Sequence, residues 1–235
     1  MKDPETKIHD LALEIRDLLK SKKLRKSPVV TQEDGSRVWV QANKEKSELN
    51  AKGMFLVMPR KWFDLTHQTG LLTDFQRRVV SVLTKKRGNL CEINRPTDLR
   101  REDFEVYTSN VLRGAGFDVV PARACIDEVP GEYEQNWYDF TVVDKPSSKK
   151  LTLEVKSDRN YHTGNVAVEL LRDFDLDYER NVGSLSKTRA DLWVVYFFDE
   201  NRCLFDAEVY LRKQLQEKAI QYVKIIRDLL DENPP

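Results

Sequence analysis

Asn136-Trp-Tyr-Asp139-Phe-Thr-Val-Val143, a turn through Pro146-Ser-Ser-Lys-Lys150, and Leu151-Thr-Leu-Glu154-Val-Lys156 form the stretch that decides the fold. Both arms are short and rich in aromatic, β-branched and Leu residues, and Pro and Ser separate them, so they read as the two strands of a hairpin. Successive strand side chains point to opposite faces, so Glu154 and Lys156 emerge together. Asp139, in the partner strand, comes alongside them. Two acids and a lysine on one wall of a sheet are costly unless they are paired or hold a metal. A hard cation such as Mg²⁺ uses one or two protein carboxylates, and water and phosphate oxygens complete its shell. Mn²⁺ accepts the same ligands. The stretch therefore points to a metal-dependent phosphodiesterase. A plainer reading stands beside it: Leu151, Leu153 and Val155 alternate with Thr152, Glu154 and Lys156, which also fits a salt bridge on a solvated sheet face.

Downstream, Ser157 to His162 reads as a polar loop, Asn165 to Leu171 as a short strand and Ser184 to Arg189 as a short helix. His162 in that loop is read as incidental. Asp191-Leu-Trp-Val-Val-Tyr-Phe-Phe198 is almost continuously apolar, the mark of a strand buried on both faces. Leu211, Leu215, Tyr222, Ile226 and Leu229 stripe a terminal helix.

Upstream, Phe104, Tyr107, Val111 and Leu112 share one face of a helix that Gly114 and Gly116 end, and Phe117 to Ala122 forms the next strand. Glu105 lies off the centre of that stripe, where a glutamate is ordinarily solvated. Arg123 to Gln135 reads as an irregular bridge, and Asn94-Arg-Pro-Thr-Asp98 as the best domain boundary.

Ahead of it, Ile8, Leu11, Ile15 and Leu18 stripe a first helix, followed by the basic run Lys20-Ser-Lys-Lys-Leu-Arg-Lys26. That run is either a solvated helix end or an arm that contacts phosphates. Val29 to Ala42 reads as a hairpin turning at Asp34-Gly35, and Gly53 to Met58 as a strand. Thr73-x-x-Gln76 is a capping box opening a helix that runs into Lys85-Lys-Arg-Gly88. These elements read as an accessory subdomain, with a winged-helix-like DNA reader as the alternative.

Lys and Arg together number 39 and so do Asp and Glu, so any nucleic-acid surface must be a local patch. No run of about 18 apolar residues suggests a membrane span, and Met-Lys-Asp-Pro-Glu does not read as a secretory signal. Cys91, Cys125 and Cys203 are odd in number and widely spaced, so reduced thiols in a cytoplasm are expected.

Asp139 followed by Glu154-x-Lys156 resembles the active-site motif of the PD-(D/E)xK nucleases, the restriction-endonuclease-like superfamily. Phe104-Glu105, Val111-Leu112 and Gly116-Phe117-Asp-Val119 resemble its first helix and strand. Thr163 to Glu169 and Gly183 to Trp193 resemble the second half of phage and restriction-like members, so the likeness runs from about Asp98 to Asp206. Tyr138 stands where the motif has Pro. The resemblance implies an α/β fold with an αβββαβ core, a central mixed sheet flanked by helices. Its expected bounds are 98–206, after an N-terminal α+β accessory region at 1–97 used for DNA recognition or dimerisation, with a C-terminal helix at 207–235.

The resemblance also implies a Mg²⁺-dependent endonuclease on double-stranded DNA, with Mn²⁺ as substitute. Asp139, Glu154, the Val155 carbonyl and Glu105 would be the metal ligands, Lys156 would act on the water or the phosphate, and Glu169 and Lys187 would be accessory. The alternatives are a structure-specific nuclease, such as a junction resolvase or nickase, and a nuclease-fold protein that binds DNA or builds a complex without cleaving. Helices at the two chain ends leave three arrangements open: packing together, covering the sheet, or forming a homodimer interface.

Overall fold

The computed structural model describes residues 3–43, 52–65, 68–93, 99, 101–122, 138–159, 161–175 and 181–232. The boundary expected at 94–98, the bridge at 123–135 and the first residues of the quoted hairpin lie outside them.

Helix α1 (Pro4–Ser21) opens the chain, and the Asp3 carboxylate caps it by accepting the Thr6 N–H at 2.7 Å. Strands β1 (Val30–Thr31), β2 (Arg37–Asn43) and β3 (Gly53–Pro59) follow. Helix α2 (Asp74–Leu83) starts from the expected capping box, with both reciprocal bonds between Thr73 and Gln76 formed. Next come β4 (Lys85–Asn89), α3 (Arg101–Gly114), β5 (Asp118–Pro121), β6 (Phe140–Val143) and β7 (Lys150–Asp158). The chain closes with β8 (Asn165–Leu171), α4 (Ser184–Lys187), β9 (Leu192–Asp199), β10 (Leu204–Leu211) and α5 (Arg212–Glu232).

These elements sort into two compact units, Met1–Trp62 with Gly164–Lys187 and Lys213–Pro235, and Phe63–Thr163 with Thr188–Arg212. The division differs from consecutive blocks at 1–97, 98–206 and 207–235. Strand pairing is the reason: β8 joins β3, so the segment around it belongs with the N-terminal strands.

In the first unit the sheet order is β1-β2-β3-β8, antiparallel throughout. Gly35, at φ 75°, makes the turn between β1 and β2. Helix α1 buries Ile8, Leu11, Ala12, Ile15 and Leu19, and α5 buries Leu215, Ala219, Tyr222, Val223, Ile226 and Leu230. Arg227 on α5 pairs with Glu14 on α1 at 2.8 Å, and Lys22 Nζ donates to the Leu230 carbonyl. Helix α1 also lies against β8 and α4, so the first end helix covers the sheet while these bonds join it to the last.

The second unit holds a mixed six-stranded sheet, β4-β10-β9-β7-β6-β5, antiparallel except for β7 beside β9. Leu151, Leu153 and Val155 of β7 share a core with Val194, Tyr196 and Phe198 of β9 and with Phe75, Val79, Phe104 and Leu112 of α2 and α3. Helix α3 is seated on this face by Phe104, whose ring lies 5.0 Å from that of Tyr196, and by Thr108, bonded to the Tyr196 hydroxyl at 2.7 Å. Two sequence expectations change here. Lys85 to Asn89 is not a helical continuation but edge strand β4, whose lysines suit an exposed edge. Gly88 is required there, because a Cβ would run into the Phe205 ring. Residues 207–211 belong to strand β10 rather than to the terminal helix, and Phe205, Ala207 and Val209 point inward with period two. Between β7 and β9 the chain carries β8 and the short α4, as the residues there read, whereas the αβββαβ core implied by the resemblance has a helix alone.

No helix among the described residues is long and apolar enough to cross a membrane.

Candidate active site

The β6–β7 hairpin forms as the alternation dictates. Phe140 pairs with Leu153 and Val142 with Leu151, all facing the core. The period of two then sends Thr152, Glu154, Lys156 and Asp158 to the opposite face. The tight turn is tied by Asp144, whose carboxylate accepts from Ser147 Oγ at 2.5 Å and from Arg78 at 2.9 Å. The Ser147 hydroxyl, and behind it the Arg78 guanidinium, hold the Asp144 carboxyl below its ordinary range. A depressed folded value contributes stability above the unfolded pKa, and that stability is lost as pH falls through the folded value. Asp144→Asn is therefore expected to lower the Tm by a constant amount from neutral pH down to about 4, with the gap closing below it. Melting curves across that range check this, and a gap independent of pH would remove the carboxylate from the account.

Asp139 sits where the β6–β7 ladder ends. Its N–H donates to the Leu153 carbonyl at 2.8 Å, and its Oδ2 accepts the Val155 N–H at 2.7 Å. In a strand the N–H and C=O of one residue point the same way. The Val155 carbonyl is thus directed to the side where Asp139 lies. Glu154 is buried, at 7% exposure, and its Oε1 accepts from Lys156 Nζ at 2.5 Å. The Lys156 ammonium also lies over the Trp193 ring, 5.6 Å from its centre. Trp193 itself is buried on β9 opposite Glu154, and its indole N–H donates to Thr188 Oγ1 at 3.4 Å.

The hairpin therefore brings together Asp139, Glu154, the Val155 backbone and Lys156. The donors available to a metal are all oxygen, two carboxylates and one carbonyl, which suits Mg²⁺ or Mn²⁺ and not a thiolate-seeking ion. No group of three or more His, Cys, Asp or Glu residues arranged for a metal occurs among the described residues. Glu105 is the expected ligand that comes from outside the hairpin. It is half-buried on α3, and α3 packs on the apolar face, opposite the face carrying Glu154 and Lys156.

Compared with known protein families, curated proteins and solved structures, the chain matches none. The functional reading rests on its own residues.

The two accessory candidates fall in the first unit. Glu169, on β8, accepts the Ser184 N–H at the start of α4 at 2.8 Å, a structural bond. Lys187 ends α4. His162 pairs with Asp199 at 2.6 Å. Trp193 is the residue that sequence reasoning missed. It looked like one more apolar side chain of a buried strand, and only the parallel register of β9 on β7 places it under Lys156. Of the basic runs, Lys85 pairs with Glu92 and Lys86 with Glu208, while Lys20, Lys23, Arg25 and Lys26 are exposed.

Proposed function

We propose that this chain is a Mg²⁺-dependent endonuclease acting on double-stranded DNA, of the PD-(D/E)xK kind. The observation that carries the reading is the meeting of Asp139, Glu154 and Lys156 at the open end of the β6–β7 ladder. The strand plan supports it: α3, the antiparallel run β5-β6-β7 and then β9 parallel to β7 follow the expected core, apart from the segment between β7 and β9.

Asp139, Glu154 and the Val155 carbonyl would hold the cation. When bound, it supplies Lewis acidity to the phosphate and acidity to a coordinated water. The protein's own part is electrostatic and positional. Lys156, held by Glu154 and by the Trp193 face, places one compact positive charge where the attacking water or the phosphoryl oxygens would lie. The Asp139 carboxylate, fixed by the Val155 N–H, keeps its remaining lone pairs oriented. The alternative is DNA binding without cleavage.

Incubation with supercoiled, linear and branched DNA, in Mg²⁺ and in chelator, separates the two. Metal-dependent scission of any of these forms supports the nuclease, and binding without scission supports the second reading. DNA affinity is expected to fall steeply with salt, with a slope of about −0.9 per neutralised phosphate. The source is the exposed cluster from Lys20 to Lys26 rather than the lysines of β4, which are ion-paired. A flat salt dependence, measured in Ca²⁺ to block cutting, would point to a partner other than nucleic acid.

A further inference from the structure

The second unit brings together two thiols that lie 112 residues apart in sequence. Cys91 Sγ and Cys203 Sγ are 3.7 Å apart. Cys91 lies in the single-turn helix Leu90–Ile93 that follows β4, and Cys203 in the turn between β9 and β10. Leu90 and Asn89 tie the two segments together. The Leu90 N–H donates to the Cys203 carbonyl at 3.0 Å, and the Asn89 Oδ1 accepts from the Cys91 N–H at 2.9 Å and from Cys203 Sγ at 3.4 Å. Cys203 holds φ at 54°, the left-handed region, within this turn. Cys91 is exposed and Cys203 half-buried, so a small reagent reaches the pair. A disulfide needs the sulfurs at about 2.05 Å, so oxidation draws the two turns' sulfurs closer than the 3.7 Å seen.

We propose that Cys91 and Cys203 form a dithiol modification site that a low-molecular-weight disulfide, such as oxidised glutathione, converts into an intramolecular disulfide. The hydrogen bond to Cys203 pushes the Cys91 thiol above its ordinary range. The thiolate of one cysteine of the pair attacks one sulfur of the reagent, whose S–S bond breaks. One reduced thiol leaves with the bonding pair and takes up a proton. The other cysteine then gives up its proton and attacks the protein sulfur of the resulting mixed disulfide, expelling the second reduced thiol, which is protonated in turn. The two protein thiols are oxidised by two electrons, and the reagent's disulfide is reduced to two thiols.

The cross-link ties the Leu90–Ile93 turn to the β9–β10 turn and closes a long loop. The experiment treats the full chain, carrying Cys125→Ser so that two thiols remain, with oxidised glutathione. Peptide mapping after alkylation of residual thiols is run alongside melting, and the unaltered chain is mapped in parallel. The expected result is a linked Cys91–Cys203 peptide within one chain and a Tm raised by about 5–10 °C, reversed by a thiol reductant. Cys91→Ser should show no rise and carry one glutathione on Cys203. Recovery of both cysteines alkylated, or links only between chains or to Cys125, overturns the proposal.

Discussion

Asp139→Asn and Glu154→Gln should each weaken Mg²⁺ and Mn²⁺ binding by at least about 100-fold and abolish DNA cleavage. Even residues that merely support a metal ligand typically cost 10–100-fold when lost, so losing the ligand itself sets a higher floor. Both substitutions spare the fold. The amide oxygen of Asp139→Asn would still accept the Val155 N–H, and that of Glu154→Gln would still accept from Lys156, so the bonds seen at 2.7 and 2.5 Å have replacements. What each removes is the negative charge a hard cation requires. Calorimetric titration of the two variants beside the wild-type chain gives the answer, and unchanged affinity in both would remove the metal site.

Lys156 carries the second large effect, and the structure changes which variant tests it best. An exposed Glu–Lys pair contributes about 0–1 kcal/mol, so Lys156→Ala would melt near the wild type if Glu154 were solvated. The Glu154 side chain is only 9% exposed, however. Removing Lys156 takes its cation away from a buried carboxylate, and breaking a buried pair costs about 3–5 kcal/mol at the upper end. A fall in activity of Lys156→Ala would therefore mix lost chemistry with lost stability. Lys156→Arg keeps the charge and a donor for Glu154, and so keeps the fold. It cannot place a compact ammonium over Trp193, because the planar guanidinium spreads its charge differently. Losing one electrostatic stabiliser of this kind costs about 10²–10³ in rate. Lys156→Arg is accordingly expected to melt within a few degrees of the wild type, bind DNA normally and cut at least about 100-fold more slowly. Wild-type rates in both Lys156 variants would leave a structural salt bridge as the better account.

The parts of this molecule that could be read from sequence are those whose causes are local. The Thr73 cap, the Gly35 turn and the apolar run of β9 each announce themselves within a few residues. So does the meeting of Asp139, Glu154 and Lys156, because one hairpin with a short turn joins them. What was not legible depends on pairing across long separations. Lys85-Lys-Arg-Gly-Asn89 has no strand signature of its own and becomes β4 only because β10 offers an edge. The period-two pattern of β10 was present in Phe205, Ala207 and Val209, but the helical stripe beginning at Leu211 masked it. Strand β8 reads as a strand from its residues, yet nothing in them says that it pairs with β3. Glu105 entered through the resemblance, and the packing of Phe104 and Thr108 then seats its helix on the apolar face of the sheet. Cys91 and Cys203 could not be paired by spacing, since a β-ladder and two turns bring them together.

The central claim is that Asp139, Glu154 and Lys156 form one phosphodiester-cleaving site. Its most direct test is a single-turnover cleavage measurement on supercoiled, linear and branched DNA with Mg²⁺, comparing the wild-type chain with Glu154→Gln purified identically. The account predicts scission by the wild-type chain that chelator stops and Mg²⁺ restores, with none by Glu154→Gln despite equal DNA binding. Equal cutting by both proteins, or bound DNA left intact by the wild-type chain in Mg²⁺ and in Mn²⁺, would contradict it.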